Sequence, residues 1–282
     1  MCSKGTVRAA AVALIVAGAS AAAALSASAA SRPRVRHHGL GATKPTIVLV
    51  HGAWADSGSW DAVVTRLQHD GYVAWAPPNP LMGLATDSAT IADFLHRISR
   101  PIVLVGHSYG GEVITNAAYR DRQVKALVYV DAYIPAQGDS LESLTGAGSC
   151  FAVPPADLAN LFNFVPFPGA PSGVVDAYVK QSVFPGCFAN GLPAPEGAEL
   201  AATQRPLATN ALTDPSGPPA WATIPSWAVV GTADHVIPPV DQLSMAHNAG
   251  AHITEIDAPH LSMIADPRAV TSVIEQAANR TG

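Results

Sequence analysis

The chain has 282 residues, with 16 Lys and Arg against 21 Asp and Glu and a net charge of −5. Its 49% hydrophobic content is too high for a disordered chain. The part after the N-terminal region carries no basic cluster, so nucleic-acid binding has no support.

Lys4 and Arg8 precede an uncharged, Ala- and Val-rich run from Ala9 to Leu25, and Ala27-Ser28-Ala29 follows as a small-x-small cleavage site. This pattern predicts a secretory signal peptide over residues 1–29 and an extracellular or periplasmic location. A membrane anchor is the competing reading. The run is near the lower length limit for a span and is mostly alanine, so no stable anchor is expected. Cys2 lies ahead of the apolar run, away from the cleavage point. Residues 30–44 are basic and contain His37-His38, and they read as a flexible leader rather than a metal site. About 250 residues remain from 45 to 282, enough for one large domain.

Thr46 to Val50 is an all-apolar strand apart from its first residue, and it runs into His51-Gly52-Ala53-Trp54. Trp60, Val63, Val64 and Leu67 then recur at helical spacing. Gly71 to Trp75 is a short strand stopped by Pro77-Pro78. Ile91, Phe94, Leu95 and Ile98 mark a second helix. Ile102 to Val105 and Ala126 to Val130 are further buried strands, each followed by a polar turn. Strands that are apolar on both faces and alternate with amphipathic helices indicate an α/β fold, a mostly parallel sheet with helices on both sides.

The rhythm breaks between about 135 and 222, where prolines, glycines and seven aromatics from Phe151 to Phe188 gather. This stretch is expected to be an inserted cap over the carboxyl edge of the sheet, with weak helices near Ala156–Phe162 and Val174–Val183. Cys150 and Cys187 fall inside it. An even pair in a secreted chain suggests a disulfide, with two separate buried thiols as the alternative. Neither cysteine has metal-ligand spacing. The α/β pattern resumes at Ser226 to Val230, continues with a helix over Val240 to Asn248 and a strand over His252 to Ile256, and closes with a helix opened by Pro267.

The turn after the third strand reads Gly106-His107-Ser108-Tyr109-Gly110, the spacing G-x-S-x-G between a strand and a helix. That context identifies a nucleophile elbow, in which a sharp turn lifts the serine hydroxyl off the sheet. A serine needs a base, and the base needs an orienting carboxylate. Asp234 and His260 each follow a late strand, so the chain order is Ser108, Asp234, His260, the order this arrangement takes. Asp131 is the rival acid and Asp257 a weaker one. His51 is expected beside the oxyanion loop, His107 inside the elbow pointing away from Ser108, and His235, His247 and His252 at the surface. The two oxyanion donors are expected to be the backbone N–H groups of Ala53 and Tyr109.

These residues resemble the α/β-hydrolase superfamily, specifically its esterase-like members similar to plant methyl esterases and hydroxynitrile lyases. The likeness rests on Val48 to Trp54 with Trp60, Val105 to Gly111, Gly231 to Pro238 and His260 to Met263. It covers about two thirds of the chain after the signal segment, in two halves either side of the cap. It implies a Ser108, Asp234 and His260 triad, an oxyanion hole at Ala53 and Tyr109, and no metal or organic cofactor. The lyases of this group carry a lysine directly after the catalytic histidine and a threonine where this chain has Leu261 and Gly52. The expected activity is therefore that of a secreted carboxylesterase, which cleaves small to medium apolar esters through an acyl-enzyme on Ser108. A lactonase, C–C hydrolase, lyase or haloperoxidase-like reaction, or a non-catalytic ligand-binding role, are the alternatives. The sequence carries no signal for oligomeric state.

Overall fold

A computed structural model of the protein describes residues 44–280. The expected signal peptide, Cys2, His37-His38 and the expected leader up to residue 43 lie outside the described residues.

Six parallel strands form the central sheet: β1 (Thr46–Val50), β2 (Val73–Trp75), β3 (Ile102–His107), β4 (Val124–Val130), β8 (Ser226–Gly231) and β9 (His252–Ile256). Their spatial order is β2-β1-β3-β4-β8-β9, with every pairing parallel. The sequence order therefore reverses between β1 and β3, and the carboxyl ends of all six strands share one edge. Ligands bind at that edge in open α/β sheets.

The four inner strands are buried on both faces, which is why they read as unbroken apolar runs. The edge strands β2 and β9 are half exposed and alternate only weakly. Helices α2 (Leu84–Leu95) and α3 (Tyr109–Ala117) pack together on one side. Helices α1 (Asp61–His69) and α9 (Pro267–Asn279) pack together elsewhere on the sheet, beside the short helix α8 (Ser262–Ala265), and α9 also meets β3, β4 and β8. α9 starts as its sequence predicts, with Asp266 capping the N–H of Ala269 and Pro267 in the first turn. Helix α7 (Pro239–Asn248) packs on β8 and β9. No helix among the described residues is long and apolar enough to cross a membrane.

The chain leaves the sheet between β4 and β8. There it forms short helices α4 (Leu141–Leu144) and α5 (Leu158–Leu161), a longer helix α6 (Ala194–Thr203), and a second sheet. That sheet is antiparallel, in the order β5 (Phe162–Val165), β6 (Asp176–Val179), β7 (Leu207–Ala208). The helix expected at Ala156–Phe162 is present over Leu158–Leu161. The one expected at Val174–Val183 is not: β6 occupies its centre. Pairing with β5 along all four residues, with β7 at Asp176 and Ala177, and with the Gln204 side chain at Val179 overrides the weak helical spacing. The outgoing and returning ends of this excursion are clasped together, since Gly138 N–H donates to Ser216 O (2.8 Å) and Ser216 N–H to Asp139 O (2.7 Å).

Cys150 and Cys187 are joined by a disulfide, with Cα atoms 5.7 Å apart across 37 positions.

Candidate active site

Ser108 sits between β3 and α3 at φ 54° and ψ −125°. A non-glycine residue there stores roughly 1–3 kcal/mol of strain and persists only when its surroundings over-determine it. Here three hydrogen bonds do so. Ser108 N–H donates to Val130 O (3.3 Å), and Ser108 O accepts from Gly111 (2.9 Å) and Tyr133 (3.2 Å). Gly106 and Gly110 are required beside it. A Cβ on Gly106 would overlap Gly110 O, and one on Gly110 would lie 2.5 Å from Val50 O. Trp54 (φ 56°) and Asp131 (φ 45°), at the ends of β1 and β4, are also left-handed. Three of the five non-glycine residues with positive φ among the described residues thus follow the carboxyl ends of sheet strands.

The structure brings Ser108, His260 and Asp234 into one chain. His260 Nε2 lies 3.1 Å from Ser108 Oγ, and His260 Nδ1 lies 2.8 Å from Asp234 Oδ2. A carboxylate only accepts, so Nδ1 is the protonated nitrogen and Nε2 is free to accept from the hydroxyl. Asp234 is itself held by three other donors. Val236 N–H (2.7 Å) and Ile237 N–H (3.0 Å) reach Oδ1, and Gln242 Nε2 reaches Oδ2 (2.7 Å). Ser108 is 3% exposed and His260 0%.

The imidazole of His260 is packed between two rings, His107 at 4.7 Å and Phe188 of the excursion at 5.1 Å. His107 Nε2–H donates to the carbonyl of His260 (2.9 Å), and burial holds its ring well below the usual histidine range, hence neutral. His107 thus makes its hydrogen bond to the backbone of the base rather than to Ser108, and braces that base.

Asp131, the rival acid, hydrogen-bonds elsewhere. Its Oδ1 accepts from Gly231 N–H (2.7 Å), and its Oδ2 from the N–H (3.3 Å) and the hydroxyl of Ser262. It ties the end of β8 and the loop after His260 back to β4. Burial, with the charge of Asp234 second, pushes its carboxyl well above the ordinary range. Asp257 is exposed. His235, His247 and His252 are exposed as expected.

The loop after β1 closes over the serine. His51 Nδ1–H donates to Gly52 O (2.9 Å) and its Nε2 accepts from Asn79 N–H (2.9 Å). Burial lowers its pKa to about 4, so the ring is neutral, as this pair of contacts requires. Gly52 touches the elbow: a Cβ there would stand 2.7 Å from Ser108 Cβ and 2.8 Å from His107 O. The N–H of Ala53 has no acceptor among the described residues. That of Tyr109 opens α3 and is an orphan donor by its position. Tyr109 is anchored by its hydroxyl, which donates to buried Asp87 Oδ2 (2.8 Å).

Ala53, Ser108 and Tyr109 form the floor of a cavity of about 480 Å³. Its walls come mostly from the excursion and are predominantly apolar, and Glu142 is the one charged side chain on them among the described residues. No group of His, Cys, Asp and Glu among the described residues is arranged to hold a metal ion.

Sequence reasoning missed Gln242, Asn79 and Phe188. A glutamine eight positions after the acid, an asparagine in a Pro-rich turn and a phenylalanine in the insert carry no local signature. Only the tertiary contacts give them a role.

A parallel sheet of this order, a strained serine elbow and a Ser–His–Asp chain define a hydrolase architecture. Residues 47–273 match the alpha/beta hydrolase family, and the chain belongs to it. Among individual proteins, 110 residues are 37% identical to the carbendazim hydrolyzing esterase of a Nocardioides species, 34% of this chain and 46% of that one. Another alignment of 118 residues is 30% identical to the pyrethroid hydrolase of Sphingobium wenxiniae, 38% of this chain and 42% of that one. The chain thus matches less than half the length of these curated relatives. An extracellular α/β-hydrolase from a Paenibacillus species shares the fold with a TM-score of 0.68 at 19% identity, over 83% of this chain and 98% of that one.

Proposed function

We propose that the protein is a secreted carboxylic ester hydrolase that works through an acyl-enzyme on Ser108. The observation that carries this is the continuous hydrogen-bonded path from Ser108 Oγ through His260 to Asp234. His260 Nε2 takes the hydroxyl proton as Ser108 attacks the ester carbonyl, and Asp234 holds the tautomer and stabilises the imidazolium. The developing oxyanion is received by the N–H groups of Ala53 and Tyr109. His260 then protonates the leaving alcohol, and the ester C–O bond breaks. Water enters, loses its proton to His260 and attacks the acyl carbon. The acid departs and Ser108 Oγ regains its proton.

The names of the two curated relatives, an esterase and a hydrolase, support this chemistry. A cavity with apolar walls supports small to medium neutral esters as substrates. A cyanide-handling lyase site is disfavoured. The space a side chain at position 52 would need is filled by Ser108 Cβ, and position 261 is a buried leucine. Secretion is supported by the pattern of residues 1–29 and by the disulfide, which suits an oxidising compartment.

The test is labelling of the purified protein with a fluorophosphonate, followed by mass spectrometry of the modified peptide. Labelling on Ser108 together with ester turnover is expected. An unlabelled, inactive protein would refute the assignment. N-terminal sequencing of the exported protein is expected to begin at Ala30, and retention of the intact N-terminus in the cell would refute secretion.

A further inference from the structure

One wall of the cavity is aromatic, and its rings are fixed by contacts from several separate segments of the chain. Trp54 directly follows Ala53, and both line the cavity. Its indole N–H donates to Ala177 O (2.9 Å) and its backbone N–H to Arg205 O (3.1 Å), which locks the side chain from two sides. Phe151 lies 5.0 Å from Trp54 at 57°, Phe162 lies 5.5 Å from it at 32°, and the two phenylalanines are 5.2 Å apart. Phe164, 6.0 Å beyond Phe162 and 41% exposed, continues the row of rings to the surface.

Phe162 is held by strand pairing with Val179. Phe151 belongs to no helix or strand. Its neighbour Cys150 anchors it, through the bond to Cys187 and through an N–H that donates to His235 O (2.8 Å). On the other side of the bond, Phe188 backs Trp54 edge-on at 5.7 Å. The disulfide therefore joins the front ring of the wall to the ring behind it. Phe151 is only half buried, and Trp54, Phe151 and Phe162 all reach the cavity. No cation lines the cavity among the described residues.

We propose that Trp54, Phe151 and Phe162 form an aryl subsite, and that the Cys150–Cys187 bond sets its selectivity by holding Phe151 in the wall. The ligand class is a neutral ester with a planar ring on one side of the scissile carbonyl. Rigid aromatic side chains reward a flat ring in offset or edge-on contact beyond simple burial. A puckered ring of equal size gains the burial alone. The proposal rests on the ester-hydrolase assignment for turnover, while the subsite itself can be read by binding.

The experiment compares methyl phenylacetate with methyl cyclohexylacetate, and benzyl acetate with cyclohexylmethyl acetate. Initial rates of acid release are followed, and binding of the same four esters to Ser108→Ala is measured by calorimetry. The aryl member of at least one pair is expected to be preferred roughly tenfold in kcat/KM and in affinity. Phe151→Leu, and separately the Cys150→Ser/Cys187→Ser double variant, are expected to bring that ratio near one through KM. In the cysteine variant, whose two positions do not line the cavity, turnover of ethyl acetate should stay within about twofold. Equal handling of flat and puckered rings by the wild type overturns the subsite. A preference that survives Phe151→Leu removes Phe151 from it. A parallel fall of all esters in the cysteine variant would mean that the bond acts on His260 through Phe188, and overturns its selective role. Selective binding to Ser108→Ala with no wild-type turnover would sustain the subsite and refute the hydrolase assignment instead.

Discussion

The six-stranded sheet and the segment that leaves it between β4 and β8 are held together by different means. The inner strands of the sheet are buried on both faces and paired in unbroken register apart from one irregularity at Ile102/Val103. Regular burial of this kind needs no special residue at most positions. The excursion has strands of two to four residues, turns rich in proline, a disulfide and a cluster of rings. Each of its segments is pinned by a particular contact. The division has a chemical counterpart. Ser108, Asp234 and His260 hang from the ends of sheet strands, where a rigid scaffold fixes their separations. The cavity above them takes its walls from the excursion, which can vary without disturbing the strands.

If that division holds, substitutions at the sheet edge reduce every substrate alike, and substitutions in the excursion sort substrates. The largest effect is expected from Ser108→Ala and His260→Ala. Each should lower ester turnover by about four orders of magnitude or more with the thermal midpoint little changed. Residual activity within tenfold of wild type would dismantle the assignment. Gly52→Ala comes next. Its methyl would press on Ser108 Cβ and His107 O, moving the Ala53 donor, and kcat should fall about a hundredfold with KM little altered. An unchanged kcat would separate the loop from the chemistry.

Gln242→Leu removes one donor from Asp234 Oδ2 while its neighbours on α7 remain. A charge-assisted bond of this kind is worth roughly tenfold in kcat, equally for small and large esters. A loss confined to large esters would contradict the division. Loss of the disulfide should do the reverse. Closing a loop of 37 positions contributes about 3–4 kcal/mol in the chain-entropy model, so the double serine variant should melt lower. Its turnover of ethyl acetate should nevertheless remain near wild type at 25 °C.

The smallest effect on activity is expected at Glu112, where the two regions meet. Its carboxyl is fully buried on α3, with neither oxygen hydrogen-bonded. Burial first, then the nearby charges of Asp214 and Asp139, raise its pKa from 4.5 to about 9. Both aspartates stand on the outgoing and returning arms of the excursion. The folded protein keeps a proton here that the unfolded chain releases above pH 4.5. This group's contribution is therefore fully present below pH 4.5, declines as pH rises, and is lost as pH passes about 9. Glu112→Gln should flatten the fall of melting temperature across that window, with kcat near neutrality unchanged. Parallel melting curves for the two proteins would show that Glu112 does not titrate this way.

The sheet was legible because parallel strands buried on both faces leave apolar runs, and because amphipathic helices between them repeat at 3.6 residues. The elbow was legible because Gly106, Ser108 and Gly110 meet a local steric demand at fixed spacing. The positions of Asp234 and His260 followed from strand order. The helix expected around Val174–Val183 failed because β5, across a loop of ten residues, and β7, further along the chain, supply the partners that make β6 a strand. Phe188 against His260 and Gln242 against Asp234 were invisible for the same reason, since neither pair has any sequence relation.

By itself, then, the chain order of residues established a parallel α/β sheet, the serine elbow and the candidates for base and acid. Each of those depends on burial periodicity or on backbone sterics within a few residues. Tertiary structure alone decided that Asp131 braces loops while Asp234 faces the imidazole, that position 52 has no room for a side chain, and that a disulfide aligns rings on the cavity wall. Those outcomes depend on side chains far apart in the chain competing for the same few ångströms of space, and no local pattern encodes the winner.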